Sequence, residues 1–274
     1  ELKAALSPEN HADFADAIMT TDTVRKEVAV EFTVGGKTCR VGGCSKGSGM
    51  IMPNMATMLC FLTTDAAIEP ELLQAALKQV VDETFNMVSV DGDTSTNDMV
   101  SILASGAAGN APIRSQNEDF AVFVNALYVV LMNLSRKIAG DGEGATKLLE
   151  CVVTGAESKE QAKIVAKSVI NSSLLKAAMF GADANWGRVL CAIGYAQTDV
   201  DVNRVDVAFA SQNGAVAVCK DGAGIDFSEE TAKKVLTTDE VKILVDLNAG
   251  DAAATAWGCD LTYDYVRING DYRS

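Results

Sequence analysis

A single histidine, His11, stands in a sequence of 274 residues. Acyl-transfer chemistry here would need a general base other than imidazole. A serine–histidine–aspartate triad takes the hydroxyl proton on imidazole, and only His11 offers one, near the start, where a structural role is the plainer reading. What remains is Lys46-Gly-Ser-Gly-Met50 followed by Pro53-Asn-Met-Ala-Thr57-Met-Leu, a glycine-rich turn leading to a threonine at the head of an apolar run. On composition alone this is a loop entering a strand. A chemical reading is also open. A threonine hydroxyl is a weak nucleophile until a base takes its proton, and a mid-chain amide nitrogen cannot do so. Cleavage of the Ala56–Thr57 bond would free the α-amine of Thr57. Such amines have a pKa of about 7.7–8.0, which suits general-base catalysis near neutral pH. Amine and hydroxyl then share one residue and a nearly fixed geometry.

The elements that must position these residues follow from periodicity. Residues 23–43 alternate as strand and turn, and a glycine-rich segment runs from Gly42 to Gly49. Met58–Asp65 reads as a buried strand. Pro70 opens a helix to about Met87, with Leu72, Leu73, Ala76, Leu77, Val80 and Val81 at helical spacing. Residues 91–98 (DGDTSTND) are a polar loop. Met99–Ala104 is a strand or short helix, and Phe120–Ala139 an apolar helix. Leu148–Val153 reads as a strand, and Ser158–Phe180 as one long helix with Ser158 as N-cap. Gly187–Tyr195 is ambiguous. From Val205 on, VDVAFA, AVAVCK, VKILVDL, ATAWGCDLTY and YVRI read as strands around a helix at Glu229–Leu236. Helices in the middle and strands at the end argue for an α/β (α+β) layered architecture rather than a regular βαβ winding.

Several segments together resemble the ornithine acetyltransferase (glutamate N-acetyltransferase) family. They are AIMTTDT at 17–23, KGSGMIMPNMATML at 46–59, LTTDA at 62–66, DGDTSTND at 91–98, GADANWGR at 181–188, DLT at 260–262 and YVRINGDY at 265–272. They follow the family's order over almost the whole chain. The resemblance implies a layered sandwich of the ornithine acetyltransferase / DmpA type. It also implies self-cleavage at Ala56–Thr57. Residues 1–56 would be the C-terminal part of an α chain, and 57–274 a β chain beginning with its nucleophile, Thr57. By motif position it implies that Thr20, Lys46, Thr57, Glu143, Asn269 and Ser274 contact substrate. Lys46 would hold a carboxylate through charge-assisted hydrogen bonds, Glu143 an ammonium, and Thr20, Asn269 and Ser274 would orient.

The implied reaction moves an acetyl group from N2-acetylornithine to glutamate through acetyl-Thr57, in arginine biosynthesis. It needs no cofactor or metal. Some family members also accept acetyl-CoA, and no residue here decides that point. The implied assembly is α2β2. Family members carry a longer region before AIMTTD, with a Thr-Gly pair that supplies the oxyanion hole. Only 56 residues precede Thr57 here, so that donor is expected to be missing, at a cost on the order of 10²–10³ in rate. The alternatives are a related self-processing N-terminal-nucleophile amidohydrolase or aminopeptidase, and a non-catalytic protein in which Thr57 is an ordinary strand residue.

Composition narrows the partners. Net charge is −14, with 37 acidic and 23 basic residues, which disfavours nucleic acid and anionic membranes and leaves small molecules. Seven cysteines without a C-x-x-C pair point to reduced thiols, not to a disulfide framework or zinc site. The apolar stretch Phe120–Leu134 is interrupted by Asn125 and Asn133 and reads as too short to span a bilayer. No secretory pattern is visible, so the expected compartment is the cytoplasm, or an organelle if a transit segment was lost. Asp91, Asp93 and Asp98 lack the glycine and distal glutamate of an EF-hand. Asn185-Trp-Gly-Arg188 reads as structural.

Overall fold

In the computed structural model, residues 7, 10–52, 58–94 and 97–271 are described. The chain divides into two compact units, residues 1–86 with 94–138, and residues 87–93 with 139–274.

The first unit is built on a four-stranded sheet of order β1-β2-β3-β5, with β1 Lys26–Val34, β2 Lys37–Lys46, β3 Leu59–Thr64 and β5 Met99–Ala104. Gly35 and Gly36, with φ of +55° and +74°, make the tight turn between β1 and β2, because two successive positive φ values match the strand twist in a hairpin. β2 pairs antiparallel with β3, Lys46 opposite Leu59. β3 pairs parallel with β5, Leu59 opposite Met99. Of the glycine-rich segment from Gly42 to Gly49, Gly42 and Gly43 lie inside β2. A Cβ on Gly43 would land on the Phe61 carbonyl oxygen of β3, so the strand needs glycine for close approach.

Among the described residues this unit holds three α-helices: α1 His11–Ala17, α2 Pro70–Glu83 and most of α3 Glu118–Gly140. Pro70 sits in the first turn of α2, and Ala76, Leu77 and Val80 face inward. At 23 residues α3 is long and apolar enough by composition to cross a membrane, which revises the reading of residues 120–134 as too short. Its stripe Phe123, Leu127, Val130, Leu131, Leu134 and Ile138 is completely buried within protein, as in the core helix of a folded domain.

The second unit holds a mixed seven-stranded sheet of order β4-β11-β6-β10-β7-β8-β9. Its strands are β4 Val88–Ser89, β6 Leu148–Ala156, β7 Asp206–Ser211, β8 Gly214–Lys220, β9 Ala223–Gly224, β10 Glu240–Asp246 and β11 Ala252–Cys259. The expected mixed α/β class is the one observed. The single helix expected at 158–180 is two, α4 Lys159–Asn171 and α5 Ser173–Phe180. Ser172 breaks it by leaving the helical region and accepting the Leu175 N–H at 3.3 Å. The ambiguous 187–195 stretch is helix α6, Trp186–Gly194, capped by Asn185. Helix α7 spans Glu229–Leu236 as expected.

The predicted YVRI strand is overturned. Tyr263–Asp271 is helix α8. The β11–β6 ladder ends at Cys259 opposite Leu148, and Thr262 Oγ1 then accepts the Tyr265 N–H at 3.4 Å, starting a helix where strand-prone residues find no partner. All seven cysteines are unpaired, and only Cys191 is exposed.

Candidate active site

The first unit gathers its polar residues at one end of its sheet. β2 ends there at Lys46 and β1 begins there, Lys26 opposite Ser45. Met58 and Asp98 are the residues just ahead of the paired starts of β3 and β5. Thr57 precedes Met58 in the chain. Ala56 and Thr57, the expected cleavage site and nucleophile, lie outside the described residues, as does Ser274.

Lys46 is buried, and its Nζ donates to Thr20 Oγ1 at 3.1 Å. The structure thus joins two residues that are 26 apart in sequence. An ammonium has three donors, so a carboxylate can take those that Thr20 does not use.

Asp22 builds this corner. Its carboxylate receives the Gly47 N–H at 2.7 Å and the Thr20 N–H at 3.3 Å. It also pairs with Lys26 Nζ at 2.6 Å, both side chains being completely buried. Burial pushes the Asp22 carboxyl up, but the bonds from Gly47, Lys26 and Thr20 outweigh it and hold the group below the usual carboxylate range. One acid therefore fixes the backbone on both sides of the Thr20–Lys46 contact.

Asp98 takes the Met58 N–H on Oδ1, while Met58 O accepts the Met99 N–H at 2.8 Å. Burial raises its pKa to about 6, against the opposing pull of the Met58 N–H and of Lys46. Thr94 of the same polar loop donates to Met52 O at 3.0 Å. His11 is exposed and pairs with Glu27 at 2.8 Å, the structural role expected of it.

The second unit brings together the other described pair. Asn269 Nδ2 donates to Glu143 Oε2 at 2.8 Å and to Tyr265 O at 3.1 Å. Asn269 thus stands on α8 rather than in a turn. The Glu143 loop is held by DLT: Asp260 accepts the Thr146 and Lys147 N–H groups at 2.8 and 2.9 Å, and Thr262 Oγ1 donates to Gly144 O at 2.7 Å. Tyr265 OH reaches Asp91 at 3.3 Å. Burial first, then Asp91, pushes that phenol well above its ordinary value. Asn185 accepts the Arg188 N–H at 3.2 Å, and Arg188 donates to Leu174 O at 2.6 Å, which makes GADANWGR scaffold as read.

Sequence reasoning missed Asp22, Lys26, Asp98, Asp260 and Thr262 as organisers of the site. The motifs containing Asp22, Asp98, Asp260 and Thr262 were visible as signals, but their long-range partners were not.

In the first unit a buried lysine bonded to an exposed threonine lies at the sheet end where β3 begins, and in the second Asn269 is bonded to Glu143; both units are mixed α/β. The profile of the ArgJ family matches residues 1–274, and the chain belongs to that family. It is 55% identical over 271 residues to arginine biosynthesis bifunctional protein ArgJ 1 of Clostridium acetobutylicum, covering 98% of this chain and 66% of that protein. It is 52% identical over 271 residues to arginine biosynthesis bifunctional protein ArgJ of Symbiobacterium thermophilum, covering 99% of this chain and 66% of that one. The chain thus spans 66% of the length of these curated relatives. The crystal structure of arginine biosynthesis bifunctional protein ArgJ from Bacillus halodurans superposes with a TM-score of 0.75 at 49% identity, over 79% of this chain and 100% of the solved one.

Proposed function

We propose that this chain carries the acetyl-transfer machinery of a self-cleaving glutamate N-acetyltransferase, moving acetyl from N2-acetylornithine to glutamate through Thr57 in arginine biosynthesis. The observation that carries the reading is the single sheet end where Lys46, Thr20 and the strand following Thr57 converge. After scission of Ala56–Thr57, the Thr57 hydroxyl attacks the acetyl carbonyl and its proton passes to the new α-amine. The amide C–N bond breaks, the departing ornithine amine takes that proton, and the acetyl group remains on Thr57 as an ester. The glutamate α-amine then attacks the ester, and the threonine oxygen recovers a proton. Lys46 holds the substrate α-carboxylate, with Thr20 beside it. Glu143, oriented by Asn269, holds an ammonium. Ser274 completes the polar set.

One observation fits cleavage. The strands on either side of the cut, β2 and β3, pair from Val41–Thr64 to Lys46–Leu59, so the products have a ladder to hold them.

Denaturing mass spectrometry of the full-length protein tests the reading. Two fragments parted at 56/57 are expected, with the second gaining one acetyl group on incubation with N-acetylornithine and losing it when glutamate is added. Thr57→Ala should stay intact and inactive, and Thr57→Ser should keep part of both reactions. Transfer by an uncut Thr57→Ala protein would refute the mechanism.

A further inference from the structure

We propose that Asp98 is a positioning residue for the nucleophile, holding the Thr57–Met58 peptide from the neighbouring strand; this rests on the reading of Thr57 given above. The nitrogen that donates to Asp98 Oδ1 belongs to Met58 and is therefore the nitrogen of the peptide bond that begins at the Thr57 carbonyl. That bond is planar. Fixing the Met58 N–H direction is how Asp98 would set that plane. The hold is two-sided, since Met58 O accepts the Met99 N–H at 2.8 Å. Residues 98 and 99 thus grip residue 58 by both of its backbone polar groups.

A purely structural acid would have both oxygens satisfied. Asp98 Oδ2 is sealed from solvent and has no hydrogen-bond partner among the described residues. Unpaired buried carboxylate oxygens are rare because desolvation penalises them. Their retention next to a reacting centre is a recognised sign of function. Asp98 also feels the charge of Lys46, the residue assigned to the substrate carboxylate, so one acid links the nucleophile's strand to the binding lysine. Met58 and Asp98 line a cavity of about 480 Å³ that Leu77, Lys78, Val81 and Asp82 of α2 also line. The charge acting on Asp98 is that of Lys46 from β2, while Lys78 and Asp82 stand on the same cavity.

The test uses Asp98→Ala and Asp98→Asn in the full-length, self-cleaved enzyme. Loss of the grip should lower kcat of Asp98→Ala by about 10²-fold, the scale of a misplaced reacting group, with KM within about threefold of wild type. Asp98→Asn retains an amide oxygen for the Met58 N–H and should recover a large part of kcat. Wild-type kcat should fall with a second proton below about pH 6, where Asp98 protonates beneath the acid limb of the Thr57 amine, and Asp98→Asn should lack that second proton. Burial disfavours the charged carboxylate, so Asp98→Asn should melt no lower than wild type at neutral pH. A deficit in that variant then reflects placement rather than unfolding, and its pH limb decides the matter even if Asp98→Ala does not fold. Wild-type kcat in Asp98→Ala, a change confined to KM, or an unaltered acid limb in Asp98→Asn would overturn the proposal. Any of these alongside an inert, uncut Thr57→Ala enzyme defeats only the role of Asp98. Transfer by uncut Thr57→Ala defeats the underlying reading.

Discussion

Lys26→Met should destabilise the first unit by about 3 kcal/mol. Lys26 and Asp22 form an ion pair at 2.6 Å with both side chains completely buried. Removing one partner of such a pair typically costs about 3–5 kcal/mol, because the other charge is left uncompensated. Asp22 keeps two donors in this variant, Gly47 N–H at 2.7 Å and Thr20 N–H at 3.3 Å, which places the effect at the low end. Asp22→Ala takes the carboxylate from Lys26, which keeps its bond to Val24 O at 3.5 Å, and frees both backbone groups, and should cost about 3–5 kcal/mol. The double variant Lys26→Met/Asp22→Asn removes both charges while leaving an acceptor for Gly47, and should return to within about 1–2 kcal/mol of wild type, since whole-pair replacement is often near neutral. At about 2–4 °C per kcal/mol, calorimetry at fixed protein concentration should show Lys26→Met melting about 6–12 °C lower. The pH dependence has a definite sign. The Asp22 carboxyl is held below its ordinary value, so its contribution is complete above about pH 3.9 and disappears as pH falls through the folded value. A Lys26→Met protein within about 1 kcal/mol of wild type, or a double variant no better than it, would refute this account of the corner.

Gly43→Ala would press its Cβ onto the Phe61 carbonyl and should cost about 1–3 kcal/mol, read as a lower melting point with loss of transfer activity, because β3 follows the proposed nucleophile in the chain. Lys46→Met and Glu143→Gln should each lower kcat/KM for their substrate groups by about 10–100-fold, the worth of a charged hydrogen bond. Steady-state kinetics with N-acetylornithine and glutamate checks both, and unchanged constants would remove these residues from the site. Glu143→Gln should keep the Asn269 contact, so its melting point should hold.

The chemistry was more legible in the sequence than its support. One histidine and a threonine at the head of an apolar strand were enough to pose an amine-assisted nucleophile, and β3, α2 and α7 followed from apolar spacing. Asp22 and Asp98 were hidden because short polar loops carry no periodicity, and because their partners lie 25 and 40 residues away. The helix at Tyr263–Asp271 was misread since tyrosine, valine and isoleucine favour strands only where a neighbour offers a ladder. Ser172 passed as helix interior because a serine hydroxyl is unremarkable there until it turns to a backbone N–H. Asp260 stood within a recognised motif, yet its loop partners, Thr146 and Lys147, lie more than a hundred residues earlier.

If the Ala56–Thr57 bond is cut as proposed, the antiparallel ladder between β2 and β3 acquires a thermodynamic consequence. Before scission those strands meet by closing a short loop, a first-order event. Afterwards they belong to separate molecules, and regaining the sheet becomes a second-order encounter whose midpoint moves with protein concentration. Maturation would therefore trade the refoldability of the chain for the new amino terminus, leaving an enzyme assembled most easily once, while still a single polypeptide.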